Sequence, residues 1–118
     1  MLDEIRVNSF EGNMVEIEAG DSSFGGYDGW VGYFPKDIMT DFAMSLKNIK
    51  RNKGKMFEVE HDGDSFAVLY DLQSNGVGTK NKFTAFASQN QELMVKETLE
   101  DVEFKNFLKD LVKALNSL

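Results

Sequence analysis

The chain contains no cysteine, and only one proline, one histidine and one tryptophan among 118 residues. The first absence excludes disulfides, thiolate metal centres and cysteine nucleophiles. A zinc site needs three or four protein donors, and a single imidazole leaves that set short. Long apolar runs are also missing, since no stretch approaches the roughly 20 residues that span a bilayer. The opening MLDEIRVNSF is acidic and lacks the apolar core of a signal peptide. These gaps point to a cytoplasmic protein without a membrane partner.

Positive charge is scarce as well. Thirteen Lys and Arg stand against twenty Asp and Glu, a formal net charge of −7. Nucleic-acid phosphates repel such a chain, so no nucleic-acid partner is expected. A basic protein is attracted to it, and complementary charge mainly speeds and selects the encounter.

What is present is core material. Hydrophobic residues make up 42% of the chain, with ten phenylalanines and six methionines. That suffices for one globular domain over residues 1–118 with a single core. Residues 4–19 alternate with period two around Glu11–Gly12, which reads as a hairpin with Val15, Ile17 and Ala19 on one face. GDSSFGG (20–26) reads as a loop and YDGWVGYF (27–34) as a third strand. Pro35 then opens a helix in which Ile38, Phe42, Leu46 and Ile49 recur at helical spacing beside Met39 and Ala43. Gly54 stops it.

KMFEVEH, DSFAVLYDL, KNKFTAFAS and ELMVKET read as four further strands. In the closing helix, Phe104, Phe107, Leu108, Leu111, Val112 and Leu115 form one apolar stripe. Segregated strand runs with one-sided helices predict an α+β fold. The expected order is β-β-β-α-β-β-β-β-α, an antiparallel sheet of about seven strands packed against two helices. A two-sheet sandwich is the alternative closure.

HDGD (61–64) is the one segment that invites catalysis. Asp62–Gly63 suits a two-residue hairpin turn, because both central positions need positive φ. His61 then faces Asp64, Val59 faces Phe66, and Phe57 faces Val68, which accounts for the segment without chemistry. The spacing of its acids is not that of a calcium loop. GxxGxxG within 26–32 lacks a GK[ST] and a strand–helix junction, so it makes no phosphate cradle. KNIKRNKGK (47–55) packs five cations into nine residues at a helix end, where the helix dipole favours them.

No catalytic, cofactor-binding or metal residues are therefore assigned. The partner-binding candidates are the strand glutamates Glu16, Glu18, Glu58 and Glu60, with Asp28 and Trp30. If the first hairpin and the 55–72 hairpin join one sheet, these glutamates make one acidic patch. Trp30 is also expected to serve the core, as large aromatics mostly do.

WVGYFPKDIMTDFAMSL, GKMFEVEHDGDSFAVLYDL and NGVG occur in that order. Over roughly residues 14–98 this order resembles small bacterial immunity proteins of the wall-associated-protein (WapI) type and related bacterial domains. The resemblance implies neutralisation of a cognate toxin by direct binding, without enzyme activity. The sequence thus predicts a non-enzymatic, immunity-type inhibitor acting through an acidic surface, as monomer or homodimer. Two other readings stand beside it. One is a small-molecule-binding or enzymatic domain using strand 27–34 and His61. The other is a homodimeric regulatory or structural protein joined through a sheet edge.

Overall fold

The computed structural model describes the backbone of residues 4–21 and 28–118, and the side chains of residues 5–20 and 29–118. Most of the expected 20–26 loop lies outside the described residues, while Gly20 and Asp21 complete the second strand.

The fold is α+β, with seven antiparallel strands in two sheets. The first sheet has the order β1 (Glu4–Phe10), β2 (Met14–Asp21), β3 (Asp28–Pro35). Helix α1 (Lys36–Lys47) follows, then a single 3-10 turn at Ile49–Arg51. The second sheet runs β4 (Met56–His61), β5 (Asp64–Asn75), β6 (Gly78–Gln89), β7 (Glu92–Leu99). Helix α2 (Asp101–Asn116) closes the chain. Of the two expected closures, the two-sheet one is found.

The turns explain the strand order. Asp62 (φ 51°) and Gly63 (φ 84°) make the left-handed pair that a tight hairpin requires, and Asn90 (φ 49°) with Gln91 (φ 70°) does the same between β6 and β7. The two tips are bonded to each other, Asn90 N donating to the Gly63 carbonyl at 2.7 Å. The positive φ is what favours glycine at position 63, and a Cβ there would also displace the Asn90 side-chain amide, whose Oδ1 lies 2.5 Å from its place. The β4–β5 register is the one expected, with His61 opposite Asp64, Val59 opposite Phe66 and Phe57 opposite Val68.

Both sheets and both helices feed one core. The first sheet contributes Val15, Ile17, Ala19, Trp30 and Phe34, and the second Val59, Phe66, Val68, Tyr70 and Phe83. From α1 come Met39, Phe42, Ala43 and Leu46, and from α2 Phe104, Phe107, Leu111 and Leu115. Phe66 is fully buried where these layers meet. Its ring lies 6.0 Å from Trp30 of the first sheet, 6.2 Å from Phe42 of α1 and 5.5 Å from Phe107 of α2. Gly32 makes room for this arrangement, because a Cβ there would overlap the Trp30 ring.

A polar clasp holds α2 to the far end of the second sheet. Tyr70 Oη donates to Asn81 Oδ1 at 2.6 Å, and Asn81 Nδ2 reaches both carboxylate oxygens of Asp101 at 3.0 Å. Lys50 Nζ lies 3.3 Å from the same carboxylate. The Asn81 bond, partly opposed by desolvation and helped by Lys50, holds the Asp101 carboxyl below its ordinary range. Within α2's first turn, the Glu103 side chain accepts from the Glu100 backbone N–H at 3.0 Å, one arm of a capping box.

Two changes test this core. Phe66→Ala removes the ring shared by all layers and should cost about 3–5 kcal/mol of unfolding free energy in a urea titration. Gly32→Ala pushes against Trp30 and should cost about 1–3 kcal/mol by overpacking.

Candidate functional site

Five of the six partner-binding candidates fall into three different settings, and the side chain of the sixth, Asp28, lies outside the described residues. Glu16 and Glu18 sit half-buried on the outer face of the first sheet. Asn8 Nδ2 donates to Glu16 Oε1 at 3.4 Å, and Glu18 Oε2 lies 3.8 Å from Arg6 Nε. Tyr33 faces Glu16 across the β2–β3 ladder, and its bond to that carboxylate pushes the phenol's pKa up. These two carboxylates are thus occupied within their own sheet.

Glu58 and Glu60 are exposed on the outer face of the second sheet, opposite Ala67 and Ser65. The two hairpins belong to separate sheets, so the condition under which the four glutamates would make one acidic patch is not met. The chain turns into α1 after β3, and β4 then begins a new ladder with β5.

Trp30 corrects the other expectation. It is 3% exposed, its ring packed on Phe66, and its Nε1 donates to the Ser88 carbonyl at 3.0 Å. It ties the first sheet to the tips of the second and presents no surface to a partner. Asp28 begins β3 opposite Asp21, and its side chain lies outside the described residues.

His61 closes the β4–β5 hairpin, half-buried, with Nε2 3.8 Å from Asp62 Oδ2. Among the described residues no three His, Cys, Asp or Glu side chains gather closely enough to hold a metal ion. The neighbouring Asp64 is the perturbed group. Burial raises its pKa, with the nearby Asp62 charge adding, while the Trp30 indole N–H and His61 partly oppose the shift.

Two open grooves flank Glu58 and Glu60. The first, of about 610 Å³, crosses the outer face by the hairpin tips and is lined by Glu58, Glu60, Gly63, Ser65, Ser88, Asn90 and Gln91. The second, of about 310 Å³, runs between β4 and α1. Phe57, Glu58, Val59 and Glu60 form one wall, and Ile38, Asp41, Phe42 and Ser45 form the other. Neither lining contains a lysine or arginine. Nearby cations are engaged on aromatic rings, Lys55 at 5.3 Å from the Phe57 centroid and Lys96 at 5.8 Å from that of Phe86.

The basic helix end lies in another groove, of about 660 Å³, between the end of α1 and α2. Lys47, Lys50, Arg51 and Lys105 rim it over Leu46, Ile49 and Phe104. These four cations therefore line a different groove from the two that hold Glu58 and Glu60.

Sequence reasoning missed the α1 wall of the β4 groove. Ile38, which helical spacing places in the buried stripe, is 36% exposed, because the stripe that packs inward starts at Met39 and continues through Phe42, Ala43 and Leu46. Ile38, Asp41, Phe42 and Ser45 share the same spacing shifted by one residue, so they form the adjoining face.

No family model matches the chain, and no curated protein matches it. No helix among the described residues is long and apolar enough to cross a membrane.

Asp64 gives a pH test of the hairpin tip. A carboxyl whose pKa is raised on folding contributes stability that is fully present below the unfolded value of about 3.9 and is lost as pH rises through the raised value. Asp64→Asn should therefore melt higher than the parent at neutral pH and converge with it in acid. Thermal unfolding across that range measures the difference, and a lower melting point at neutral pH would contradict it.

Proposed function

We propose that the protein is a non-enzymatic binding domain that neutralises a basic partner, as a cytoplasmic immunity-type inhibitor neutralises a toxin. One observation carries this reading. Glu58 and Glu60 stand exposed on an end strand, between two open grooves whose linings hold no cation. Such a surface attracts and orients a positively charged protein, and the net charge of −7 extends that attraction to longer range. The resemblance to WapI-type immunity proteins supports the same class of partner. The segments that carry it, WVGYFPKDIMTDFAMSL and GKMFEVEHDGDSFAVLYDL, include α1 and β4, the two walls of the β4 groove.

Glu16 and Glu18 contribute to the general field, while their bonds to Asn8, Arg6 and Tyr33 leave Glu58 and Glu60 as the principal contacts. Inhibition follows from occlusion: a bound partner loses access to whatever surface it places against β4.

The partner to test is the C-terminal domain of a toxin encoded beside this protein's gene. Glu58→Lys with Glu60→Lys should weaken that complex by about tenfold or more and reduce its salt sensitivity. His61→Ala should leave it unchanged. Isothermal titration at two salt concentrations reads both effects, and a toxin domain that forms no salt-sensitive complex would overturn the reading.

A further inference from the structure

Strand β4 offers more than charge, and what it offers builds on the protein-binding reading above. The Asp62–Gly63 turn closes a two-residue hairpin, in which His61 and Asp64 form the hydrogen-bonded pair. Alternation along an antiparallel ladder then commits the backbone of Val59 and Phe57 to β5. The N–H and C=O groups of Met56, Glu58 and Glu60 point the other way. β4 is the end strand of its sheet, and among the described residues no strand pairs with that side. The groove beside α1 runs along this same edge.

We propose that the β4 edge accepts an extended segment of a basic partner as an added strand, laid between β4 and α1; this rests on the binding function proposed above. Main-chain bonds to Met56, Glu58 and Glu60 supply affinity, and the two faces of the added strand supply specificity. Side chains turned inward meet Ile38, Phe42 and Phe57, so alternate residues of the segment are apolar. Those turned outward lie beside Glu58 and Glu60, so the residues between are Lys or Arg. A segment alternating apolar and basic residues meets both demands.

The charge pattern also selects against a second copy of this chain. Antiparallel self-pairing along β4 would set the Glu58 and Glu60 carboxylates of one copy against those of the other, and like charges across a ladder repel. The edge therefore discriminates against self-association while welcoming a cationic strand.

Hydrogen exchange on the intact protein tests the proposal, with a synthetic peptide of about six residues alternating Val and Lys as probe. Bound peptide should slow exchange at the Met56, Glu58 and Glu60 amides by about tenfold or more. Methylating the peptide's alternate backbone nitrogens should cost about tenfold in affinity at unchanged charge. Glu58→Pro removes an outward N–H while sparing the ladder to β5, and should weaken binding more than Glu58→Gln, which keeps the N–H. Circular dichroism checks that the proline variant folds, and the methylated-peptide comparison stands without it.

Equal binding of the methylated and unmethylated peptides would overturn strand addition and leave the acidic-surface reading intact. No slowing at about 1 mM peptide would overturn it as well. Strand addition also fails if the free protein already protects these amides as a concentration-dependent dimer. Failure of the surface reading itself shows separately, as a toxin complex indifferent to the double lysine reversal.

Discussion

The packing around Phe66 is the constraint on which the rest of this structure depends. Four layers bring one aromatic ring each to a common point: Trp30 from the first sheet, Phe66 from the second, Phe42 from α1 and Phe107 from α2. Each layer alone exposes one apolar face, and burying that face against the others is the main favourable term in folding. Close packing then propagates constraints outward, since a dense interior leaves no slack for a misplaced ring. Gly32 is the clearest case, because it is glycine for the sake of Trp30 and not for a turn.

That same packing shapes the surface. Phe42 faces Phe66, which rotates α1 so that Met39, Ala43 and Leu46 also turn inward. Ile38, Asp41 and Ser45 are then left along the flank of the helix, facing the edge of β4 across an open groove. The acidic site is thus a consequence of how the core sets the helix, combined with two glutamates on the solvent side of an end strand. Basic residues gather elsewhere, around the end of α1 and the start of α2, where the Asn81–Asp101–Lys50 clasp fastens helix to sheet.

Much of the architecture is legible in local sequence. The order of elements, the β4–β5 register and the buried faces of β2 and α2 follow from period-two and period-3.6 patterning with turn chemistry at Asp62–Gly63. The candidate site is legible only in part. Glu58 and Glu60 fall on the solvent face by alternation alone, whereas Ile38, Asp41 and Ser45 join them only through packing. Trp30 shows the limit most directly, because its type favours a core without excluding an interface, and only the packing on Phe66 decides between them. Glu97 shows it too: after the irregularity at Ala87–Ser88, it pairs with Ala85 on the core-facing row and is 7% exposed, a placement no local pattern announces.

What the sequence by itself determined is therefore what neighbours a few residues apart carry: helical periodicity, strand faces, tight turns, and a net charge of −7. What only the tertiary structure decided is the division into two sheets, the burial of Trp30 beside Phe66, and the groove between α1 and the edge of β4. The physical reason is range. Turns and periodicity act through bonds and contacts along the chain, while sheet partition and helix rotation depend on which distant surfaces pack together most completely.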